Sequence, residues 1–218
     1  MNFFRAHHGF WTARNRRSLY LGILLLILSL LIQIRAEHYT DRRATNFVGD
    51  LFLDNLPVVN LDWIIIEGAI LVWIATCCFL AFRPRYLLFG LKTVALFIVT
   101  RSIFVTLTHI SVYPYHAALE SGDIGYRLYS LFTFQGEYFF SGHTGLPFLM
   151  ALVFWPDKFW RYFFFGISFV FGASVLLAHV HYSIDVFAAP FIAYGIFKIA
   201  KHLFREDYAV LEGHRVGS

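Results

Sequence analysis

Charge is what this sequence has least of. Only 15% of its 218 residues are Asp, Glu, Lys or Arg, while 58% are hydrophobic and 20% aromatic. Soluble domains carry about 25% charged residues, so an ordinary soluble domain is excluded. Cysteine is nearly absent. Cys77 and Cys78 are adjacent in an apolar run, and side chains about 100° apart on a helix do not meet a disulfide's geometry. No internal repeat, low-complexity tract or Asn-x-Ser/Thr acceptor occurs; the last of these, with the short length, leans towards a bacterial source. The net charge of +4 comes from basic residues dispersed between apolar spans, which argues against a nucleic-acid partner.

What is there in abundance is apolar runs of membrane-crossing length, roughly 20 residues each. Six are expected: Ser18–Ile34, Trp63–Phe82, Tyr86–Leu107, Tyr138–Trp155, Trp160–Leu177 and Tyr182–Phe204. The expected fold is all-α and polytopic, one membrane domain over residues 1–218. No small-residue cleavage site follows the first run, so it is expected to remain as an anchor. Long connections cover 35–62 and 108–137; Arg83-Pro84-Arg85 and Pro156-Asp157-Lys158 mark tight turns. Within the first long connection, Phe47–Leu56 is amphipathic and closed by Pro57, and a short interfacial helix on the outer leaflet is expected there. With the N-terminus inside, twelve Lys/Arg fall in inner segments and four (Arg35, Arg42, Arg43, Arg127) in outer loops. The positive-inside bias then puts both termini in the cytoplasm.

Ionisable residues inside spans are expensive and mark function. In that topology they gather at one level, near the outer face: His143 early in the fourth span, His181 and Asp185 early in the sixth, Arg101 late in the third, and Glu67 near the outer end of the second. Four-residue spacing lets Asp185 reach His181 on a helical face, hold one imidazole tautomer and leave the other nitrogen as a nucleophile. His143 lies in Phe140-Ser141-Gly142-His143-Thr144-Gly145. There Gly142 lets backbone approach an anion, Ser141, Thr144 and helix-start N–H groups can donate to phosphate oxygens, and a second histidine can serve as general acid. Arg101 would offset phosphate charge. His179, Tyr182 and Glu137 are further substrate-binding candidates, Glu137 for a cationic head group.

Phe140-Ser141-Gly142-His143-Thr144, with His179-Val180-His181-Tyr182-Ser183-Ile184-Asp185-Val186-Phe187 after the next span, resembles the sphingomyelin synthase family, a branch of the type 2 phosphatidic acid phosphatase superfamily. Weaker similarity in Gly136-Glu137-Tyr138, Arg101-Ser102-Ile103 and Asp54-Asn55-Leu56-Pro57 extends it over about residues 45–205. The resemblance implies a six-span core with His181 as nucleophile, Asp185 as its partner and His143 as acid, and a phosphohistidine formed without metal or other cofactor. It further implies transfer of a phospho-head group from a membrane phospholipid to a lipid alcohol such as ceramide. Departures exist: the phosphatase branch's Lys-x6-Arg-Pro is missing, Lys92 standing nine residues before Arg101, and Glu137 replaces the usual Asp. Two competing readings remain. One is a lipid phosphate phosphatase in which water takes the phosphoryl group; the other is a metal-binding transporter using His143, His179, His181 and Asp185.

Overall fold

A computed structural model of the protein describes residues 7, 9–43, 46–117 and 139–213. Its named elements are helical: α1 (Ala13–Asp41), a π-helical turn (Ile64–Gly68) running into α2 (Ala69–Phe82), α3 (Pro84–Leu107), α4 (Gly142–Val153), α5 (Lys158–Leu177), α6 (Ser183–Leu203) and α7 (Arg205–Leu211). Local chemistry sets the starts. Thr12 caps α1 by accepting from Asn15 N–H, Pro84 sits at the first position of α3, and Asp157 caps α5 through Trp160 N–H; proline there gives up an N–H that helix geometry leaves unused.

Among the described residues, five helices are long and apolar enough to cross a membrane. The expected fourth span differs. Its helix, α4, has twelve residues, about 18 Å at 1.5 Å per residue, against a hydrocarbon core of about 30 Å. Its Tyr138 end lies outside the described residues. α4 is short because it lines the inside of the bundle: Leu149, Met150, Ala151, Leu152 and Val153 are all buried, and Gly145 lets Phe97 of α3 and Ala189 of α6 approach closely. The first helix is longer than expected, reaching Asp41. Residues 51–55 form consecutive turns and Leu56 a bend rather than a regular interfacial helix, and the Asp50 side chain accepts from the Phe52 and Leu53 N–H groups at their start.

α1 packs on α3 through a seam of Asn15, Gly22, Ser29 and Ala36, spaced by sevens; a Cβ on Gly22 would stand 3.3 Å from Leu91. Most of its Leu and Ile residues, among them Leu21, Leu24, Ile27 and Leu31, face outward. Helices in lipid gain nothing from burying Leu against Leu, so small residues that allow close backbone approach form the contact.

One end of the bundle gathers the start of α1, α7 and two tight turns. Arg83 of the α2–α3 turn pairs with Asp157 of the α4–α5 turn at 2.8 Å. Ser18 and Arg14 of α1 meet Asp207 of α7, as does Lys92 of α3, both members of that last pair being buried. The histidine-bearing helix ends therefore lie at the opposite end.

Candidate active site

His181 does not stand on a helix. α5 ends at Leu177 and His179 takes a left-handed φ of 55°, the position after the helix cap that glycine usually fills. Val180 N–H donates to the Val175 carbonyl and His179 N–H to that of Leu176, closing a Schellman turn. His179 holds the corner: its Nδ1 donates to the Tyr115 carbonyl at 2.9 Å and its ring lies edge-on to Tyr113 at 5.5 Å. Tyr182 likewise faces the loops, its hydroxyl donating to the Ser111 carbonyl at 2.9 Å. These two residues shape the turn that aims His181.

α6 begins at Ser183, with Asp185 in its first turn. The expected contact of His181 with Asp185 exists, but a shared helical face is not its cause. Asp185 Oδ2 reaches back over the helix start, accepting from Tyr182 N–H at 3.1 Å and standing 3.4 Å from His181 Nδ1. Asp185 is fully buried, and its Oδ1 has no hydrogen-bond partner among the described residues. A buried carboxylate with spare acceptor capacity is well suited to holding an imidazolium.

The second histidine comes from the start of α4. Ser141 is the N-cap and is fully buried, its Oγ accepting from Thr144 N–H at 3.4 Å. Its own N–H donates to the Asp185 carbonyl at 3.1 Å, and that one backbone bond sets the register of α4 against α6. His143 and His181 consequently face each other, ring centroids 6.1 Å apart and 64° between planes. Phe171 of α5 lies edge-on to His143 at 6.0 Å.

Arg101 arrives from the last turns of α3. Its Nε donates to the Phe140 carbonyl at 3.1 Å, and a Cβ on Gly142 would meet that Nε at 3.5 Å, an ordinary contact. Gly142 thus lies beneath the guanidinium. Thr144 sits deeper, with its carbonyl receiving the Ser168 hydroxyl and its Oγ1 against Gly172 of α5. Glu67 is exposed on the π turn rather than gathered with the histidines. Glu137 lies outside the described residues.

Two features had no sequence signal. Asp50 accepts from Ser183 N–H at 2.7 Å, which places a carboxylate from the first loop on the N-terminus of α6, where the helix dipole favours it. Burial raises its pKa, but the Ser183, Leu53 and Phe52 N–H groups more than offset that and leave it lowered. Tyr113 donates to Asp54 at 2.6 Å, and that bond pushes the phenol up to about 12. No spacing between residues 50 and 183, or 54 and 113, announces either contact. A cavity of about 310 Å³ opens beside them among Phe47, Gly49, Asp54, Tyr113, Pro114 and Tyr115. It is on the loop surface, separated from the turn of His181 by the Tyr113 ring.

His143, His181, Asp185, Arg101, Ser141 and Gly142 therefore converge, while His179 and Tyr182 support them from behind. Among the described residues no group of three His, Cys, Asp or Glu side chains is placed to hold a metal ion.

Residues 136–203, about a third of the chain, match the family described as PAP2 superfamily C-terminal. The matched stretch contains both histidines and Asp185 but not Arg101. It supports the type 2 phosphatidic acid phosphatase superfamily and hence a membrane lipid phosphatase or phosphotransferase; it does not single out the sphingomyelin synthase branch. No curated protein and no solved structure matches the chain.

Proposed function

We propose that this protein is a lipid phosphotransferase that passes a phospho-head group through a phosphohistidine at His181. The observation that carries the reading is the facing histidine pair, 6.1 Å between centroids, with a buried carboxylate behind one member. With Asp185 at Nδ1, His181 presents Nε2 to phosphorus. A P–N bond forms as the P–O bond to the departing lipid alcohol breaks, and His143 gives that oxygen its proton. In the second half the acceptor hydroxyl attacks phosphorus and loses its proton to His143. The P–N bond breaks and its electron pair returns to Nε2. Arg101 and the first-turn N–H groups of α4 offset the equatorial charge.

Charge supports a phosphodiester donor such as phosphatidylcholine or phosphatidylethanolamine. Lys92, the nearest basic neighbour of Arg101 along α3, is committed to Asp207 at the far end, about 13 Å along the helix axis at 1.5 Å per residue. Among the described residues one guanidinium stands at the site, and one guanidinium matches a singly charged diester better than a doubly charged monoester. The acceptor is a lipid alcohol of the ceramide type. The second reading, hydrolysis of lipid phosphates, is favoured by the superfamily match and uses the same residues with water as acceptor. The Lys/Arg distribution supports a site on the non-cytoplasmic side of a bacterial inner membrane, or in the Golgi lumen or at the cell surface of a eukaryote.

The test is purified protein in nanodiscs, given head-group-labelled phosphatidylcholine, phosphatidylethanolamine or phosphatidic acid with and without ceramide. A labelled new lipid that requires ceramide, lost in His181→Ala, is the expected result. Release of soluble phosphate or phosphocholine at the same rate with and without ceramide would replace transfer by hydrolysis. Full activity of His181→Ala would overturn both.

A further inference from the structure

The turn that carries His181 is held on both sides by the two long connections. Ahead of it, the Leu177 carbonyl receives Val59 N–H at 2.8 Å, the Ala178 carbonyl receives Ala117 N–H at 2.9 Å, and the His179 ring bonds the Tyr115 carbonyl. Beyond it, the Tyr182 hydroxyl reaches the Ser111 carbonyl, and Ser183 N–H donates to Asp50 Oδ2 at 2.7 Å. His181 thus lies midway between two anchored residues, His179 and Ser183. The first N–H groups of a helix have no intrahelical acceptor, and here two successive ones go to carboxylates. Asp185 takes that of Tyr182, but Asp185 belongs to α6 and travels with it. Asp50 does not. Its Oδ1 accepts from Phe52 and Leu53 N–H, its own N–H donates to Asp54 Oδ2 at 3.1 Å, and Asp54 Oδ1 accepts from the Tyr113 hydroxyl. Asp50 is also buried, so little water competes for the contact.

We propose that Asp50 is a positioning residue of the site, fixing where His181 stands by tying the first N–H of α6 to the first long connection. This role rests on His181 being the nucleophile proposed above, though its spectroscopic readout does not. In-line attack needs the ring held against phosphorus, and a misplacement of about 1 Å can cost about a hundredfold in rate. With Ser183 released, the backbone of His181 keeps its anchor at His179 and loses the one two residues on. The 6.1 Å separation from the His143 ring is then no longer held from both ends. Asparagine is no substitute. Both oxygens of Asp50 accept, and an amide has a single acceptor oxygen.

The experiment breaks the contact from each end. Ser183→Pro removes the donor with little other disturbance, because proline suits the first position of a helix. Tyr182 already has the extended conformation, φ −67° and ψ 154°, that a residue before proline adopts. Asp50→Ala removes the acceptor. Full-length protein in nanodiscs is labelled with ¹⁵N-histidine, and the His181 resonance is identified by its loss in His181→Gln. Wild type should give one narrow His181 resonance and Ser183→Pro a shifted or split one. With phosphatidylcholine and ceramide, kcat should fall about 10- to 100-fold in either variant. KM for the donor should change by less than about 3-fold, because Arg101 and α4 are untouched. The double variant should be no slower than Asp50→Ala, since both changes break one bond. If Asp50→Ala does not fold, Ser183→Pro decides. An unchanged His181 resonance in folded Ser183→Pro, or losses that multiply in the double variant, would overturn the proposal. A resonance that moves as expected in a protein that turns over no phosphoester would uphold it and sink the functional reading instead.

Discussion

Replacing Asp185 by Asn separates the two tasks of one oxygen. Oδ2 caps Tyr182 N–H at 3.1 Å and faces His181 Nδ1 at 3.4 Å. Asn keeps an acceptor for the cap, so stability should change by only about a few tenths of a kcal/mol, whereas Asp185→Ala should cost about 1 kcal/mol more. What Asn removes is the negative charge beside an imidazole that gains positive character as it attacks phosphorus. Two unit charges about 4 Å apart at an effective dielectric of about 20 interact by about 4 kcal/mol. At 1.4 kcal/mol per tenfold, that is about a thousandfold in rate. The burial of Asp185, with no water-facing surface to screen it, is the reason to expect the full amount. The assay is head-group turnover in nanodiscs, with thermal unfolding and trapping of label on His181 run alongside. A folded Asp185→Asn protein turning over within about tenfold of wild type would refute the carboxylate's role as charge partner.

Three other outcomes test separate parts of the structure. Lys92→Met should destabilise by about 3 kcal/mol, the lower end for breaking a buried pair, because Arg14 still stands 3.8 Å from Asp207; turnover per folded molecule should not change, and adding Asp207→Leu should restore stability in denaturant titration. Arg101→Lys should raise KM for the phospholipid donor about tenfold and Arg101→Gln about a hundredfold, the range for hydrogen bonds to charged groups, with kinetics on a diester and a monoester showing whether the loss follows phosphate charge. Tyr113 holds its proton up to about pH 12 when folded because of Asp54. Its ordinary value is about 10, so its contribution to stability is complete below pH 10 and lost as pH rises towards 12. The fall in Tm over that window should disappear in Tyr113→Phe.

The membrane class and the tight turns at Arg83-Pro84-Arg85 and Pro156-Asp157-Lys158 were legible from the sequence, which also singled out the two histidines and the aspartate as candidates. Each depends on composition, on a capping residue or on a short motif, all local in the chain. The pairing of His181 with Asp185 was legible for a reason the structure corrects: four-residue spacing suits a helical face, yet also suits a residue just before a helix and one in its first turn. Glu67 shows the opposite error. Its depth matched the other ionisable groups, but the π turn that exposes it leaves no periodic trace in three consecutive isoleucines. The length of α4 was misjudged because hydropathy sums composition and cannot tell a helix bathed in lipid from one enclosed by its neighbours.

By itself the sequence determined a helical membrane protein and the chemical groups available to it, since hydrophobic run length and side-chain pKa and nucleophilicity belong to residues. Only the tertiary structure decided which groups meet and how they are aimed. The Ser141 N–H on the Asp185 carbonyl and the Asp50 carboxylate on the start of α6 join stretches distant in the chain. The first uses a main-chain acceptor that every residue carries, so no choice of amino acid marks it. Their positions exist only once the helices have packed.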